Sequence, residues 1–293
     1  MAYVFHRGEY VNENQATITK DNRGFRFGDG FFESIRVMNG KALFLDHHLA
    51  RIHDSFKALQ MEEPSNFTDE LLASQIQGLI TRNAIHQGGK LRITFFRKSL
   101  GNYLPRSNDS GYFIESDHML ENEFILNKSG KVVDIYTDFK KDINRLSIYK
   151  TLNSQLYVLG AMHAHQKGLD DVLIQNNKLS IIESTACNMF IVSNGVLYTP
   201  SLQDGCVAGT MRMNIINLAI ENKIKVYECA LNPQNLLSAD ELFLTNAIRG
   251  IEWVVAYRTK RYYNEMSRKM TRMLNDLVKS ETLPPPAPEV EKE

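Results

Sequence analysis

The stretch IIESTACNMFIVSNGVLYTPSLQDGCVAGTMR, residues 181–212, carries the clearest fold signal in the chain. Two apolar runs flank Asn194 and Gly195, and this pair favours a tight β-hairpin turn because both residues tolerate positive φ. Gly205 and Gly209 then precede an amphipathic segment that predicts a helix beginning near Met211. The stretch therefore predicts a strand, a hairpin and a glycine-led helix start in direct succession.

Comparable turn residues separate apolar alternating runs elsewhere, and the pattern predicts a protein rich in antiparallel sheet. These hairpin signals are SIRVMNGKALFLD (34–46), ILNKSGKVVDIYT (125–137) and VLIQNNKLSIIEST (172–185). Helical spacing of apolar residues predicts further helices near 46–61, 67–85, 154–167 and 263–278, the first of them capped by Asp46. This order of elements favours an α+β fold with two layers or barrels over a doubly wound parallel sheet.

The length and charge of the chain restrict its organisation and its partners. With 293 residues the chain is long enough for two domains. Lys+Arg and Asp+Glu both number 34, so a net charge of zero argues against nucleic acid and favours a small ligand. A polar stretch at 115–123 predicts a boundary between domains at 1–118 and 119–280, and the proline-rich end predicts a disordered tail at 281–293.

The cysteines and the apolar runs indicate a cytoplasmic protein. Its cysteines, Cys187, Cys206 and Cys229, have no Cys-x-x-Cys spacing, so neither a disulfide framework nor a zinc or other metal site is expected. The N-terminal residues lack the features of a signal peptide, and no apolar run approaches the roughly 18 residues of a membrane span.

The segment SIYKTLN, residues 147–153, places Lys150 where a strand is expected to end and a helix to begin. A poorly hydrated amine loses its proton more easily and can form a Schiff base, although a surface charge is the alternative interpretation. Glu183, at the end of an apolar run, is either a solvated charge or a carboxylate able to hold a proton on a heteroaromatic nitrogen, as in pyridoxal phosphate enzymes. Free N–H groups after Gly209 could attract phosphate.

These residues lie in five ordered blocks through which the chain resembles the fold-type IV (class IV) pyridoxal-phosphate enzymes. The blocks are RGFRFGDGFFESIRVMNGKALFLDHHLARI (23–52), YKTLN (149–153), ESTACNMF (183–190), YTPSLQDGCVAGTMR (198–212) and LFLTNAIRG (242–250). The resemblance implies a homodimer whose subunit has a small N-terminal α/β domain and a larger pseudo-barrel domain with the Schiff-base lysine. It also implies pyridoxal 5'-phosphate (PLP) in the cleft between them and a small amine as substrate.

Carried over residue by residue, the resemblance assigns a role to each motif position. Lys150 becomes the catalytic Schiff-base lysine, Glu183 the partner of the pyridine nitrogen, and Arg51 a ligand of the cofactor phosphate. Without the resemblance, Arg51 would be read as a helix-surface arginine. The backbone amides that match the phosphate cradle are those of Thr210 and Met211. The positions expected to meet the substrate are Arg97, Tyr103, Asn246 and Ala247.

The blocks also separate members of the family. The methionine before Arg212 and the Asn246-Ala247 pair resemble the lyase that converts 4-amino-4-deoxychorismate into 4-aminobenzoate and pyruvate in folate biosynthesis, whereas YKTLN resembles both that lyase and the D-amino-acid aminotransferases. Glu33 instead resembles the aminotransferases, so a D-amino-acid or branched-chain aminotransferase is the alternative. A third hypothesis is a protein that keeps the fold and binds the cofactor or a partner without turnover.

Overall fold

A computed structural model describes residues 2–283 of the chain. The first half forms a six-stranded antiparallel sheet in the order β2-β1-β6-β5-β3-β4. Its strands are β1 (Tyr3–His6), β2 (Glu9–Asn12), β3 (Gly30–Met38), β4 (Lys41–Ala42), β5 (Gly89–Arg97) and β6 (Ser110–His118). Its helices are α1 (Arg23–Phe27), α2 (Leu45–Ala58) and α3 (Asp69–Arg82).

The central strand β5 shows how this sheet separates a core face from a cleft face. Successive strand side chains point to opposite faces, and Leu91, Ile93 and Phe95 are fully buried in the apolar core that α2 and α3 cover. Arg92, between them, lies on the other face. The alternation therefore turns polar residues of β5 away from the helices.

The second half forms a nine-stranded mixed sheet, with β12-β11-β10-β13-β14-β7-β8-β9 in order and β15 paired to β14. The strands are β7 (Lys131–Lys141), β8 (Asp171–Asn176), β9 (Ile181–Ser184), β10 (Asn188–Ser193), β11 (Val196–Thr199), β12 (Val226–Glu228), β13 (Glu241–Asn246), β14 (Gly250–Tyr257) and β15 (Lys260–Arg261). The helices are α4 (Gln155–Gln166), α5 (Thr210–Glu221), α6 (Pro233–Ser238) and α7 (Glu265–Thr282).

The second sheet curls so that its two ends approach each other. The backbone N–H of Ile181 on the edge strand β9 donates to the carbonyl of Leu231, which follows the opposite edge strand β12, at 2.7 Å. One side of the curled sheet packs against α5 and α7 around Phe190, Phe243 and Met270. The predicted α+β fold with a barrel-like second half is confirmed.

The Asn-Gly turns form as predicted, but one hairpin does not. Asn194 and Gly195 have φ of +51° and +74°, and the turn at 39–40 has φ of +51° and +68°. The hairpin predicted at 125–137 is wrong, since residues 125–127 lie outside the strands and β7 instead pairs with β8 and β14 in parallel. Turn residues indicate a reversal of the chain, but tertiary pairing decides the partner strand.

Helix ends differ in detail from the prediction. Asp46 does not cap α2, because Phe44 occupies the cap position in the left-handed region and makes no side-chain cap bond. Asp46 lies in the first turn, where a negative charge still favours the helix. The last helix continues to Thr282, so the first two residues of the predicted tail are helical, and residues 284–293 lie outside the described part of the chain. The domain boundaries stay a prediction.

None of the helices between residues 2 and 283 combines the length and apolar character that crossing a membrane requires.

Candidate active site

The loop that carries Lys150 is attached to the first sheet. Lys150 was predicted to end a strand, but β7 stops at Lys141 and Lys150 lies in the loop that follows. Instead the backbone N–H of Phe32 donates to the Lys150 carbonyl at 2.9 Å, and Leu152 donates to Gly30 at 3.0 Å. These bonds hold the lysine at the junction of the two sheets.

The surroundings of Lys150 make its amine easier to deprotonate than a solvated lysine. Its Nζ lies 4.4 Å from the centre of the Phe32 ring. Burial, followed by the positive charge of Arg51, lowers the pKa of Lys150 from 10.5 to about 8. Near neutral pH, a useful fraction of the protein molecules therefore carries Lys150 as an unprotonated nucleophile.

Glu183 on β9 is buried and accepts three hydrogen bonds. Its Oε1 accepts from Lys141 Nζ at 2.7 Å and from the Tyr157 hydroxyl at 2.8 Å. Among the described residues, 2–283, its Oε2 accepts only from the backbone N–H of Val207, at 2.7 Å. Since a carboxylate oxygen has two lone pairs, Oε2 retains acceptor capacity for a further N–H.

Arg51 on α2 is fixed by a buried carboxylate. Its Nε and Nη2 donate to Oε1 and Oε2 of Glu33 at 2.7 Å and 2.6 Å, and its Nη1 donates to the Ala208 carbonyl at 2.6 Å. Burial alone would raise the pKa of Glu33, but the charge of Arg51 and the hydrogen bond from His48 lower it to about 2. Each terminal nitrogen of Arg51 keeps one N–H for a further acceptor.

The N-terminus of α5 lies beside Arg51. Burial lowers the pKa of His48, so this residue is neutral, donates to Glu33 at 2.6 Å and turns its other ring nitrogen to the Thr210 hydroxyl at 3.5 Å. A Cβ at Gly209 would lie 2.0 Å from the Asn188 side chain, so the chain needs glycine here. The first N–H groups of a helix have no intrahelical partner and attract anions.

One cleft of about 700 Å³ between the two sheets brings most predicted site residues together. The seven that line it are Arg51, Lys150, Glu183, Thr210, Met211, Asn246 and Ala247. The cleft therefore has an amine, a carboxylate and an anion-binding corner in its walls.

Arg97 and Tyr103, both predicted to meet the substrate, do not line this cleft. Arg97 is buried in the first half, where it donates to Asp29 at 3.0 Å and to the carbonyls of Leu59 and Gln60. Tyr103 is 89% exposed and contacts Phe27. The alternation along β5 explains why Arg97 does not line the cleft. Arg97 lies on the same face of β5 as the buried Phe95 and on the opposite face to Arg92.

Sequence reasoning missed several residues in the cleft walls. The Arg92 guanidinium lies 3.7 Å from the centre of the Phe32 ring, at the same ring as Lys150. Lys141 and Tyr157 also belong to the site, because both donate hydrogen bonds to Glu183. The period of two along β5 could have identified Arg92, whereas the contacts of Lys141 depend on a loop that no local pattern predicts.

Comparison with known proteins identifies the family that carries this arrangement. The profile of the family described as Amino-transferase class IV matches residues 30–257. The chain belongs to the class IV aminotransferases. The enzymes of this family depend on PLP, so the protein is an enzyme of PLP chemistry.

Related proteins cover almost the same length but differ in their reactions. The chain is 28% identical to a putative branched-chain-amino-acid aminotransferase of Methanocaldococcus jannaschii over 94% of this chain and 95% of that protein. It is 27% identical to D-alanine aminotransferase of Bacillus licheniformis over 83% and 84%, and 26% identical to aminodeoxychorismate lyase of Bacillus subtilis over 84% and 83%.

A solved structure shows the same fold. An aminotransferase from Brucella abortus bound to PLP superimposes with a TM-score of 0.83 over 94% of this chain and 98% of that one, at 18% identity. Aminotransferases and a lyase thus share this fold and family, and the relatives do not distinguish between the two reactions.

The residues of the cleft fit PLP. A nucleophilic amine, an acceptor oxygen on Glu183, and N–H donors on Arg51 and at the start of α5 suit the aldehyde, the ring nitrogen and the phosphate of the cofactor respectively. The distances above belong to the protein alone.

Proposed function

We propose that the protein is a PLP-dependent lyase that converts 4-amino-4-deoxychorismate into 4-aminobenzoate and pyruvate. The observation that carries the PLP part of this proposal is that Lys150, Glu183 and Arg51 line one cleft. The lyase part is supported by the resemblance of residues 199–212 and 244–248 to that enzyme, and the 26% identity to a Bacillus subtilis lyase is compatible with it.

Each residue has a defined task in this proposal. Arg51 and the amides of Thr210 and Met211 hold the phosphate, and Glu183 holds the proton of the ring nitrogen. Bound PLP supplies the electron sink for the charge left at the substrate carbon. Once the substrate amine has taken its place at the cofactor aldehyde, the released Lys150 amine would take the proton from the amine-bearing carbon and return a proton to the departing group.

Substrate carboxylates have cationic partners at the cleft wall. Arg92 lies 3.8 Å from Glu115, and Lys90 lies 3.2 Å from Asp117, so both pairs are loose and exchangeable. Arg249 also lines the cleft, near Asn246 and Ala247. Besides Arg51, Lys141 and Lys150, the cleft is thus lined by three cations, each beside a carboxylate, and such a wall suits a substrate with more than one carboxylate, as 4-amino-4-deoxychorismate has.

A class IV aminotransferase, specific for D-amino acids or branched-chain amino acids, is the second candidate. It is favoured by Glu33, which is aminotransferase-like in sequence and anchors Arg51 through two short bonds. It is also favoured by the position of Arg97, because the segment FFRKSLGNYLP (95–105) around it resembles the lyase, yet Arg97 lies outside the cleft. The early proton transfer at Lys150 is common to both reactions, so the substrate decides between them.

The two reactions differ in their need for a second substrate. The holoenzyme is supplied with 4-amino-4-deoxychorismate alone, and 4-aminobenzoate and pyruvate are measured. Product formation without any keto acid supports the lyase, whereas turnover that requires an amino donor and a keto acid identifies the aminotransferase. A protein that binds PLP but turns over neither substrate contradicts both proposals.

The assignment of Lys150 has a direct test. Lys150→Ala removes the covalent link to PLP, so borohydride no longer fixes the cofactor to the protein, and turnover falls by about a thousandfold or more. Lys140→Ala, at an exposed lysine just before Lys141, is the matched control and keeps both properties. Normal activity in Lys150→Ala would reject the site.

We also propose that the protein is a cytoplasmic homodimer. Leu100, Tyr103 and Leu104 form a strongly exposed apolar loop, which a second copy could cover. Sedimentation analysis of the full chain should give twice the mass of the monomer, and Tyr103→Glu should shift the chain toward the monomer. A monomeric wild type at assay concentration would contradict the homodimer.

A further inference from the structure

Lys141 links three parts of the cleft that the proposed chemistry uses separately. It is the last residue of β7, and its Nζ donates to Glu183 Oε1 at 2.7 Å and to the carbonyl of Ser147 at 2.8 Å. The same ammonium lies 5.6 Å from the centre of the Tyr157 ring. One cation therefore joins the carboxylate, the loop that leads to Lys150 and the tyrosine.

The ion pair between Lys141 and Glu183 is well shielded from solvent, since the two side chains are 13% and 3% exposed. The other donors to Glu183 are neutral, because burial raises the pKa of Tyr157 and keeps its hydroxyl protonated, and Val207 contributes a backbone N–H. Within residues 2–283, Lys141 is the one cation at ion-pair distance from Glu183. A buried carboxylate without its cation is costly and changes its surroundings.

We infer that Lys141 is a positioning residue for the PLP ring. It offsets the negative charge of Glu183 and occupies Oε1, so that Oε2 is the oxygen left with acceptor capacity for the ring nitrogen. Its second bond holds the Ser147 carbonyl and thereby fixes the loop before Lys150. Lys141 acts through Glu183 and the loop, and the inference rests on the proposed PLP site and not on the choice between lyase and aminotransferase.

The test compares Lys141→Met with Lys141→Arg on purified protein titrated with PLP. Lys141→Met should weaken PLP binding by about tenfold or more, as the loss of a residue that orients a ligand does at metal sites. It should also shift the pH dependence of the absorbance of bound PLP. Lys141→Arg retains the charge and should restore both. Lys131→Met is the matched control, since Lys131 begins the same strand and pairs with Glu252 at 3.4 Å, outside the cleft.

A second comparison separates positioning from general stability. In a Glu183→Gln background the carboxylate charge is absent and only the contact with the Ser147 carbonyl remains to be lost, so adding Lys141→Met should reduce PLP affinity less than it does in the wild type. An equal or larger loss of affinity in that background overturns the inference, as does wild-type affinity and absorbance in Lys141→Met. Borohydride fixation at Lys150 is scored independently, so failure here is distinguishable from failure of the proposed PLP site.

Discussion

Two of the buried arginine–carboxylate pairs in the first half of the chain, those of Arg97 and Arg51, differ in what they do. Arg97 donates to Asp29 and to backbone carbonyls around the end of β5, and it does not reach the cleft. Arg51 binds Glu33 through two nitrogens, lines the cleft and keeps one free N–H on each terminal nitrogen. A buried pair is therefore not by itself a binding site; the uncommitted N–H groups at a cleft wall are what an anion can use.

The largest expected effect is on the free energy of unfolding, and it distinguishes the Arg97 pair from the Arg51 pair. Arg97→Met should lower the free energy of unfolding by about 3 kcal/mol, because it leaves buried carbonyls without their donor. Chemical denaturation measures the loss. PLP affinity per folded molecule should stay at the wild-type value, and a large loss of affinity in the folded fraction would show that Arg97 belongs to the site after all.

Arg51→Met should show the opposite balance. It removes charge-assisted bonds to phosphate, each contributing about 1.5–3 kcal/mol, so the dissociation constant of PLP should rise at least tenfold. The variant also leaves Glu33 without its cation, so affinity is measured on the folded fraction by absorbance titration. Lys57→Met, at an exposed position of the same helix, is the control and should bind PLP normally. Equal affinity in both variants would refute the phosphate role of Arg51.

The sequence predicted the cleft better through motifs than through single residues. Glu183, Arg51, Thr210 and Lys150 all line it, and each belongs to one of the five blocks that carry the family resemblance. The Asn-Gly turn after β10 formed for a local reason, since it needs only the φ preferences of two residues.

Predictions that depended on distant contacts were less successful. Arg97 has the right residue type, but the alternation along β5 turns it to the core face, away from Arg92. Lys150 was expected at a strand end, but a loop after Lys141 carries it and β3 holds that loop. No local pattern contains the pairing of a loop with a strand more than a hundred residues earlier in the chain.

The charge of Arg51, unlike that of Arg97, also acts on Lys150. Burial is the main cause of the lowered pKa of Lys150 and Arg51 the second, so the rate of Schiff-base formation should rise with pH to a midpoint of about 8 in the wild type. Pyridoxal without phosphate is the probe, because it does not need Arg51 as a ligand, and absorbance follows the reaction. Arg51→Met should raise the midpoint while leaving it below 10.5, and Arg97→Met should not move it. A wild-type midpoint near 10.5 would contradict the burial argument.

A third charged cluster surrounds a residue of α2 and lies nearer the surface than the pairs of Arg97 and Arg51. Its expected effect on stability is the smallest. His53 lies between Glu63 at 2.6 Å and Asp69 at 2.8 Å, with 31% of its side chain exposed. The hydrogen bond to Glu63, opposed in part by burial, raises the pKa of His53 above 6.5. A raised pKa in the folded state means that the stabilisation is fully present below the unfolded value and is lost as pH rises through the folded value.

The expected contribution of this cluster is below about 1 kcal/mol, since exposed ion pairs are screened by water. Denaturation of the wild type and of His53→Gln at about pH 5.5 and about pH 8.5, below and above the ordinary pKa of histidine, measures it. The difference between the two proteins should be larger at the lower pH and should shrink in high salt, as it does for charges that water can reach. His48, buried against Glu33 with a lowered pKa, has the opposite dependence, because its stabilisation is lost as pH falls below the unfolded value, and it is common to the two proteins compared. A pH-independent difference between the wild type and His53→Gln would contradict the ion-pair role of His53.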